Sequence, residues 1–147
     1  MNLFGILDLS GSALLAERQR AEVVTSNLAN ADTTHTVDGG PYKRMHVVFG
    51  AHRIGPHNFE ATLASLSDIH TEGVRVDGVV QDTTAPIRRF EPGHPDADAE
   101  GYVAYPAINP VEEMVNLMGA ARSYQLNASA VQSTKNMIQA SIDIVKG

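Results

Sequence analysis

His94, Asp96 and Asp98 are the one grouping in this chain with the look of a metal site. An imidazole and two carboxylates at alternate positions offer hard donors to a divalent cation. Pro92 and Pro95, however, make Glu91-Pro92-Gly93-His94-Pro95 a rigid turn, and no further ligand cluster adjoins it in sequence. A solvated loop explains the three residues without a metal, so none is expected. His35, His46, His52, His57 and His70 show no H-E-x-x-H spacing. No Gly-x-Ser-x-Gly elbow supports a serine nucleophile, and no glycine-rich loop cradles phosphate. With no cysteine, thiolate catalysis, disulfides and Cys-ligated zinc are excluded. The expectation is a protein without catalysis and without a cofactor.

Charge narrows the partners. A net charge of -6, with 11 basic residues scattered in short pairs such as Lys43-Arg44 and Arg88-Arg89, argues against nucleic acid. Hydrophobic residues at 43% against 19% charged fit a folded chain. Nothing approaches the roughly eighteen apolar residues of a membrane span, and no direct lipid binding is expected. The stretch Met1 to Leu7 is apolar but lacks a positive n-region, and Asp8 interrupts it, so it makes a poor secretory signal.

The elements that would position any site are helix, β-rich middle, and helix. Steps of four and three from Leu3 visit Leu3, Leu7, Ser10, Leu14, Glu17, Ala21, Val24, Leu28 and Ala31, a stripe in which seven of nine residues are apolar. Gly5 and Gly11 weaken its start, so a firm helix is expected from about Ser12. Asn30 to Thr34 reads as its end, because Asn tolerates the left-handed C-terminal conformation. At the other end of the chain, Asn109-Pro110-Val111-Glu112 combines a capping Asn, Pro at the first helical position and a Glu able to close a capping box. The same stepping from there gives Met114, Leu117, Ala121, Tyr124, Ala128, Val131, Lys135, Ile138, Ile142 and Val145, with only Lys135 out of place.

Turn signals punctuate the middle at Asp38-Gly39-Gly40-Pro41, Gly55-Pro56, Asp77-Gly78 and Glu91 to Pro95. Tyr42 to Phe49 and Gly73 to Val80 are the best strands, with Ile87 to Phe90 and Tyr102 to Tyr105 weaker. Asp77-Gly78 suggests a hairpin between Val74-Arg75-Val76 and Val79-Val80. Residues 50–72 have no period and are left unassigned. The fold class is α+β: long N- and C-terminal helices pack as a coiled-coil-like inner domain beside a small, irregular β-rich middle domain. The expected boundaries are 1–33, 34–107 and 108–147.

Two long helices could simply cover a small β core, but the dimensions are wrong. A 36-residue helix reaches roughly 54 Å, whereas some 70 residues of middle segment have a radius of gyration of only about 11 Å. The stripes hold on the order of 10 kcal/mol of burial, at roughly 1.5–3 kcal/mol per large side chain. They must pack on each other, on neighbouring chains, or on both. An assembling subunit follows from this, without an identity.

Several motifs in order supply one. Thr25-Ser26-Asn27-Leu28-Ala29-Asn30-Ala31-Asp32-Thr33-Thr34 resembles the S-N-(I/L)-A-N-x-x-T-T signature of flagellar rod, hook and related axial proteins. Asp38-Gly39-Gly40-Pro41-Tyr42-Lys43-Arg44 and Glu91-Pro92-Gly93-His94-Pro95-Asp96-Ala97-Asp98, followed by Gly101-Tyr102-Val103, are similar to stretches of proximal-rod members. Val111-Glu112-Glu113-Met114-Val115 and Ala121-Arg122-Ser123-Tyr124-Gln125-Leu126-Asn127 resemble the C-terminal signatures V-x-E-M-V and A-x-R-x-Y-x-x-N. Lys43, where Arg is usual, and Ala107, where Asn is frequent, depart from the pattern.

The resemblance implies a structural subunit of the bacterial flagellar basal-body rod, in the proximal part of the drive shaft that transmits torque and encloses the export channel. It implies self-association, contacts with other rod subunits, and contacts with the inner-membrane (MS) ring and its rod adaptor. It also implies passage through the flagellar type III export apparatus without a cleaved signal, and a periplasm-spanning location. The expected assembly interface comprises Leu7, Leu14, Val24, Asn27, Leu28, Asn30, Met114, Leu117, Ala121, Arg122, Tyr124, Val131, Ile138 and Ile142. Asn30 reads first as a simple cap, whereas Asn27 is the better candidate for bridging two chains. Arg122 either lies in a solvated face or pairs with a carboxylate such as Glu17, and Tyr124 is expected in packed core. Distal-rod or hook-type proteins, a small metal-dependent hydrolase using His94, Asp96 and Asp98, and a cytoplasmic coiled-coil adaptor are the competing readings.

Overall fold

Among the described residues, two long helices stand first and last in chain order, with four strands between them. The structure, a computed structural model, describes residues 3–53 and 72–146. The Gly55-Pro56 turn, His57, His70 and most of the unassigned stretch lie outside the described residues. Helix α1 runs Leu3–Ala29, then β1 Met45–Arg53, β2 Glu72–Gln81, β3 Ile87–Phe90, β4 Tyr102–Tyr105, and helix α2 Pro110–Lys146. Strands β1 and β2 form one two-stranded sheet, and β3 and β4 another. None of the described helices is long and apolar enough to cross a membrane.

The described residues gather into two compact units. One holds residues 3–19, 49–53, 72–77 and 120–146; the other holds Arg20–Val48 and Gly78–Gly119. In the first, only small or polar side chains are fully buried, among them Ser10, Ala16, Ala120 and Thr134. Larger apolar burial belongs to the second, where Val24, Val103, Tyr105 and Ile108 form the core beside Ala31.

In the first unit, α1 begins at Leu3 rather than near Ser12. Leu3, Ile6, Leu7 and Ser10 are all at least half covered, and that packing outweighs the roughly 1 kcal/mol that each glycine costs a helix. Ser12 ties the helix to β2, its hydroxyl accepting the Val74 N–H at 3.1 Å while donating to the Leu9 carbonyl. The Asp77-Gly78 hairpin is not formed, since β2 runs straight through both residues. The Asp77 carboxylate is held by Arg75 Nε at 2.6 Å and fills the space that a Cβ on Gly50 would need. A glycine in β1 thus makes room for an Asp that sequence alone would place in a turn.

In the second unit, α1 ends at Ala29 without a left-handed residue. Positive φ among the described residues is confined to Gly39, Gly40 and Gly101. Instead Asn30 Nδ2 donates to the Ser26 carbonyl at 2.9 Å, and Thr33 Oγ1 donates to Asn30 Oδ1. Gly39 and Gly40 turn the chain back, with Thr36 N–H bonded to the Gly40 carbonyl and Tyr42 N–H to the Thr33 carbonyl. Tyr42 is therefore spent in this return, and β1 starts at Met45. Asp82 N–H donates to the Arg44 carbonyl at 2.7 Å, setting the end of β2 beside the start of β1. Strands β3 and β4 lie where expected, antiparallel, with Ile87 opposite Tyr105 and Phe90 opposite Tyr102. Asn109 Oδ1 caps α2 by accepting the Val111 N–H at 3.0 Å. The capping box does not close, because Glu112 reaches Arg44 instead, at 3.1 Å.

Candidate assembly interface

The described residues contain no group of three His, Cys, Asp or Glu able to hold a metal. His94, Asp96 and Asp98 build the turn that contains them. His94 Nδ1 accepts the Asp96 N–H, Asp96 Oδ2 accepts from Thr34 Oγ1 at 2.6 Å, and Asp98 pairs with Arg88. Asp98 Oδ1 also takes the N–H groups of Glu100 and Tyr102. Those bonds, led by the Tyr102 N–H, hold its carboxyl below the usual range. Arg88 and Arg89 lie over the rings of Tyr102 and Tyr105, and Tyr105 OH donates to Glu91 Oε2 at 2.9 Å, a bond that pushes the phenol up. Glu91, His94, Asp96 and Asp98 each make at least one hydrogen bond that holds this loop.

Asn27 is buried too, at 1% exposure. Its Nδ2 donates to the Met45 carbonyl at 2.8 Å and to Glu113 Oε2 at 3.0 Å. Its Oδ1 accepts the Met45 N–H at 2.9 Å and the Tyr42 hydroxyl at 3.2 Å. Two donors and two acceptor sites exhaust a carboxamide, so Asn27 has nothing left with which to bridge two chains. The residue joins α1, the start of β1 and the first turn of α2 within one chain. Glu113, also 1% exposed, receives Arg44 as well as Asn27. The two glutamates favour the charged Arg44 and raise its pKa despite desolvation, which is the largest single influence and acts the other way. Arg44 Nε is buried without a partner, since one terminal nitrogen makes both carboxylate contacts.

Along α1 the expected stripe is covered throughout. Ser10, Val24 and Ala31 are buried, and Leu7, Leu14, Leu28 and the other stripe positions are at least half covered, as is Asn30. Along α2 the buried line falls one residue early. Glu113, Ala120 and Thr134 are fully buried, with half-covered Asn127 between them at the same seven-residue interval. Leu117, Val131 and Ile138 flank that line and are partly covered, whereas Met114, Ala121, Arg122, Tyr124 and Ile142 are exposed. Tyr124 is therefore not core, at 46% exposure. Four members of the counted stripe, Leu117, Ala128, Val131 and Ile138, are thus partly covered, while the fully buried line holds small and polar side chains.

What α2 turns outward is consequently apolar. Val111 is 68% exposed and Met118 72%, with Met114 and Val115 between them also exposed; Leu126, Met137, Ile144 and Val145 follow along the helix. Val111, Met114, Val115 and Met118 are spaced i, i+3, i+4 and i+7, one face of a helix. Sequence reasoning passed over Val111, Val115 and Met118 because it followed a single stripe; a second apolar line was there to be counted. In the other unit, Leu3 and Phe4 of α1 with Ile138, Ile142 and Val145 of α2 line an apolar groove of about 430 Å³.

Two family models match the chain: "Flagella basal body rod protein" over residues 7–34, and "Flagellar basal body rod FlgEFG protein C-terminal" over residues 99–144. Curated relatives match along nearly the whole length. The flagellar basal-body rod protein FlgC of Bacillus subtilis is 38% identical over 99% of this chain and 100% of its own. That of Borreliella burgdorferi is 34% identical over the full length of both. That of Escherichia coli O157:H7 is 41% identical over 94% of each.

Proposed function

The chain belongs to the family of flagellar basal-body rod protein FlgC, and from that premise we propose that it joins its neighbours in the rod through the outward apolar surface of α2 and the groove between the start of α1 and the end of α2. It is a structural subunit of the basal body, and it assembles with other rod components. In our reading it occupies the proximal part of the shaft, transmits torque, and helps to enclose the export channel. Its inner domain is built from residues 1–33 and 108–147, with 34–107 facing outward. The MS ring and its rod adaptor are further neighbours, and the type III apparatus exports the chain into the periplasm-spanning rod without cleavage. It catalyses no reaction.

The observation that carries this reading is the placement of large apolar side chains outside the fold of the single chain. Four such side chains between Val111 and Met118 are worth about 4–8 kcal/mol when covered, at roughly 1.5–3 kcal/mol for each full burial and less for residues already partly covered. A folded subunit that withholds this much from its own core has it available for a neighbour. Met118→Asp tests the point in a strain lacking its own copy of the protein. The melting temperature of the purified chain stays unchanged, because an exposed substitution shifts stability by only about 0.5 kcal/mol. Incorporation into purified basal bodies and swimming are lost. Normal incorporation of Met118→Asp would remove this surface from the assembly.

A further inference from the structure

The residues that form the buried clamp and those that form the outward apolar surface share the first turns of α2. We propose that Asn27, Arg44 and Glu113 are positioning residues for assembly: together they set the rotation of α2 about its own axis, and so decide which side chains a neighbouring subunit meets. The proposal rests on Val111, Met114, Val115 and Met118 being a contact surface.

The need for such a device follows from a competition visible in the helix itself. One residue on from the buried line of Glu113, Ala120, Asn127 and Thr134 stand Met114, Ala121, Ala128 and Lys135, a line more apolar over its first three members, whereas Leu117, Val131 and Ile138 already flank the buried line. Turning α2 by one residue position, about 100°, would bury Met114 and expose Glu113. At the first turns of the helix, where Met114 would replace Glu113, hydrophobic burial alone favours that turned arrangement. The observed rotation keeps a glutamate inside and a methionine outside, so a directional interaction must outweigh the apolar term. Glu113 supplies it, with Arg44 on one carboxylate oxygen and Asn27 Nδ2 on the other. Arg44 contacts Glu112 as well, which grips the helix at two successive residues. Val111 and Met118 lie about 140–160° round the axis from Glu113, so holding Glu113 inward holds both of them outward. Buried polar groups that choose one register among several, at some expense of stability, are the best attested use of such pairs.

A merely stabilising clamp and a positioning clamp make opposite forecasts for its apolar replacement. Exchanging a buried ion pair for well-packed apolar residues is commonly neutral or stabilising. Arg44→Met/Glu113→Leu should therefore remain folded, and if the clamp only stabilised, it should assemble normally. The chain has no cysteine, so one reporter thiol can be introduced into the full-length protein, at Met118 or at Ala120. With the clamp intact, a maleimide labels Met118→Cys at least about ten-fold faster than Ala120→Cys, following their exposure of 72% and 1%. In Arg44→Met/Glu113→Leu the helix signal persists, the labelling contrast falls below about three-fold, and incorporation into basal bodies drops with it. Arg44→Lys, which keeps a cation for both carboxylates, retains the contrast and the incorporation. A double variant that keeps the ten-fold contrast, or that assembles like the parent, overturns the proposal. So does one that loses its helix signal, since the turned helix is a folded state. Failure of the contact surface itself is read separately, as normal incorporation of Met118→Asp.

Discussion

Replacing Asn27 by Ala should cost far more than replacing Asn30, although both belong to one short signature at the end of α1. The difference can be worked bond by bond. Truncating Asn27 removes four hydrogen bonds. The Tyr42 hydroxyl retains Ser26 Oγ at 3.3 Å, and Glu113 retains Arg44. The N–H and carbonyl of Met45 lose the partner that Asn27 gave them. These two groups and Glu113 Oε2, which loses its donor while Arg44 stays on Oε1, are left unsatisfied at about 1–3 kcal/mol each, about 6 kcal/mol together. For a chain of this length that corresponds to a fall of about 15 °C in melting temperature. Asn30 makes one bond to the Ser26 carbonyl and accepts one from Thr33 near the surface, so its loss should cost about 0.5–1 kcal/mol. Urea unfolding followed by tyrosine fluorescence measures both, since the chain has four tyrosines and no tryptophan. Tyr42, Tyr102 and Tyr105 all lie in the unit that contains Asn27. A difference between the two variants below about 1 kcal/mol would refute the reasoning, because it would mean that the carboxamide of Asn27 is no better satisfied inside the protein than in water.

Two other outcomes follow from local geometry. Asp82 has its carboxyl lowered to about 2, chiefly by the Thr84 hydroxyl and then by the Thr84 N–H, with His46 adding to it. Its folded value lies below the ordinary 3.8, so its stabilising contribution is complete above pH 3.8 and disappears as pH falls through about 2; a carboxyl-carbon NMR titration with a midpoint at 3.8 or higher would contradict this. Gly101→Ala should destabilise by about 2 kcal/mol, since its φ of 83° suits glycine and a Cβ would stand 3.0 Å from the Phe90 ring and 3.2 Å from Pro92. Gly93→Ala, at an ordinary φ with open space around it, should stay within about 0.5 kcal/mol, and equal melting temperatures for the two would count against the turn geometry.

Much of this architecture was legible in residue order. The capping Asn109 and Pro110 placed the start of α2 to the residue, the stripe from Leu3 to Ala31 named the covered face of α1, and the runs at Ile87 and Tyr102 marked β3 and β4. Each of these is a local property: a period, a cap or a turn is written within a few residues and reads the same in any surroundings. The motifs that gave the family away proved to be internal joinery, for Asn27, Tyr42, Arg44, Asp96, Asp98 and Glu113 all bind other groups of the same chain.

The rotation of α2 was not written locally. Apolarity along the helix gave no reason to bury Glu113, and a partner 86 residues away, Asn27, with Arg44 69 residues away, drew it inside. Asp77-Gly78 likewise reads as a turn until Gly50 on the neighbouring strand leaves room for the carboxylate. Period and propensity add up over a segment, and the sequence alone determined them. Which face a segment buries depends on directional bonds between residues far apart in the chain. Only the tertiary structure brings such residues together, so it alone decided that face.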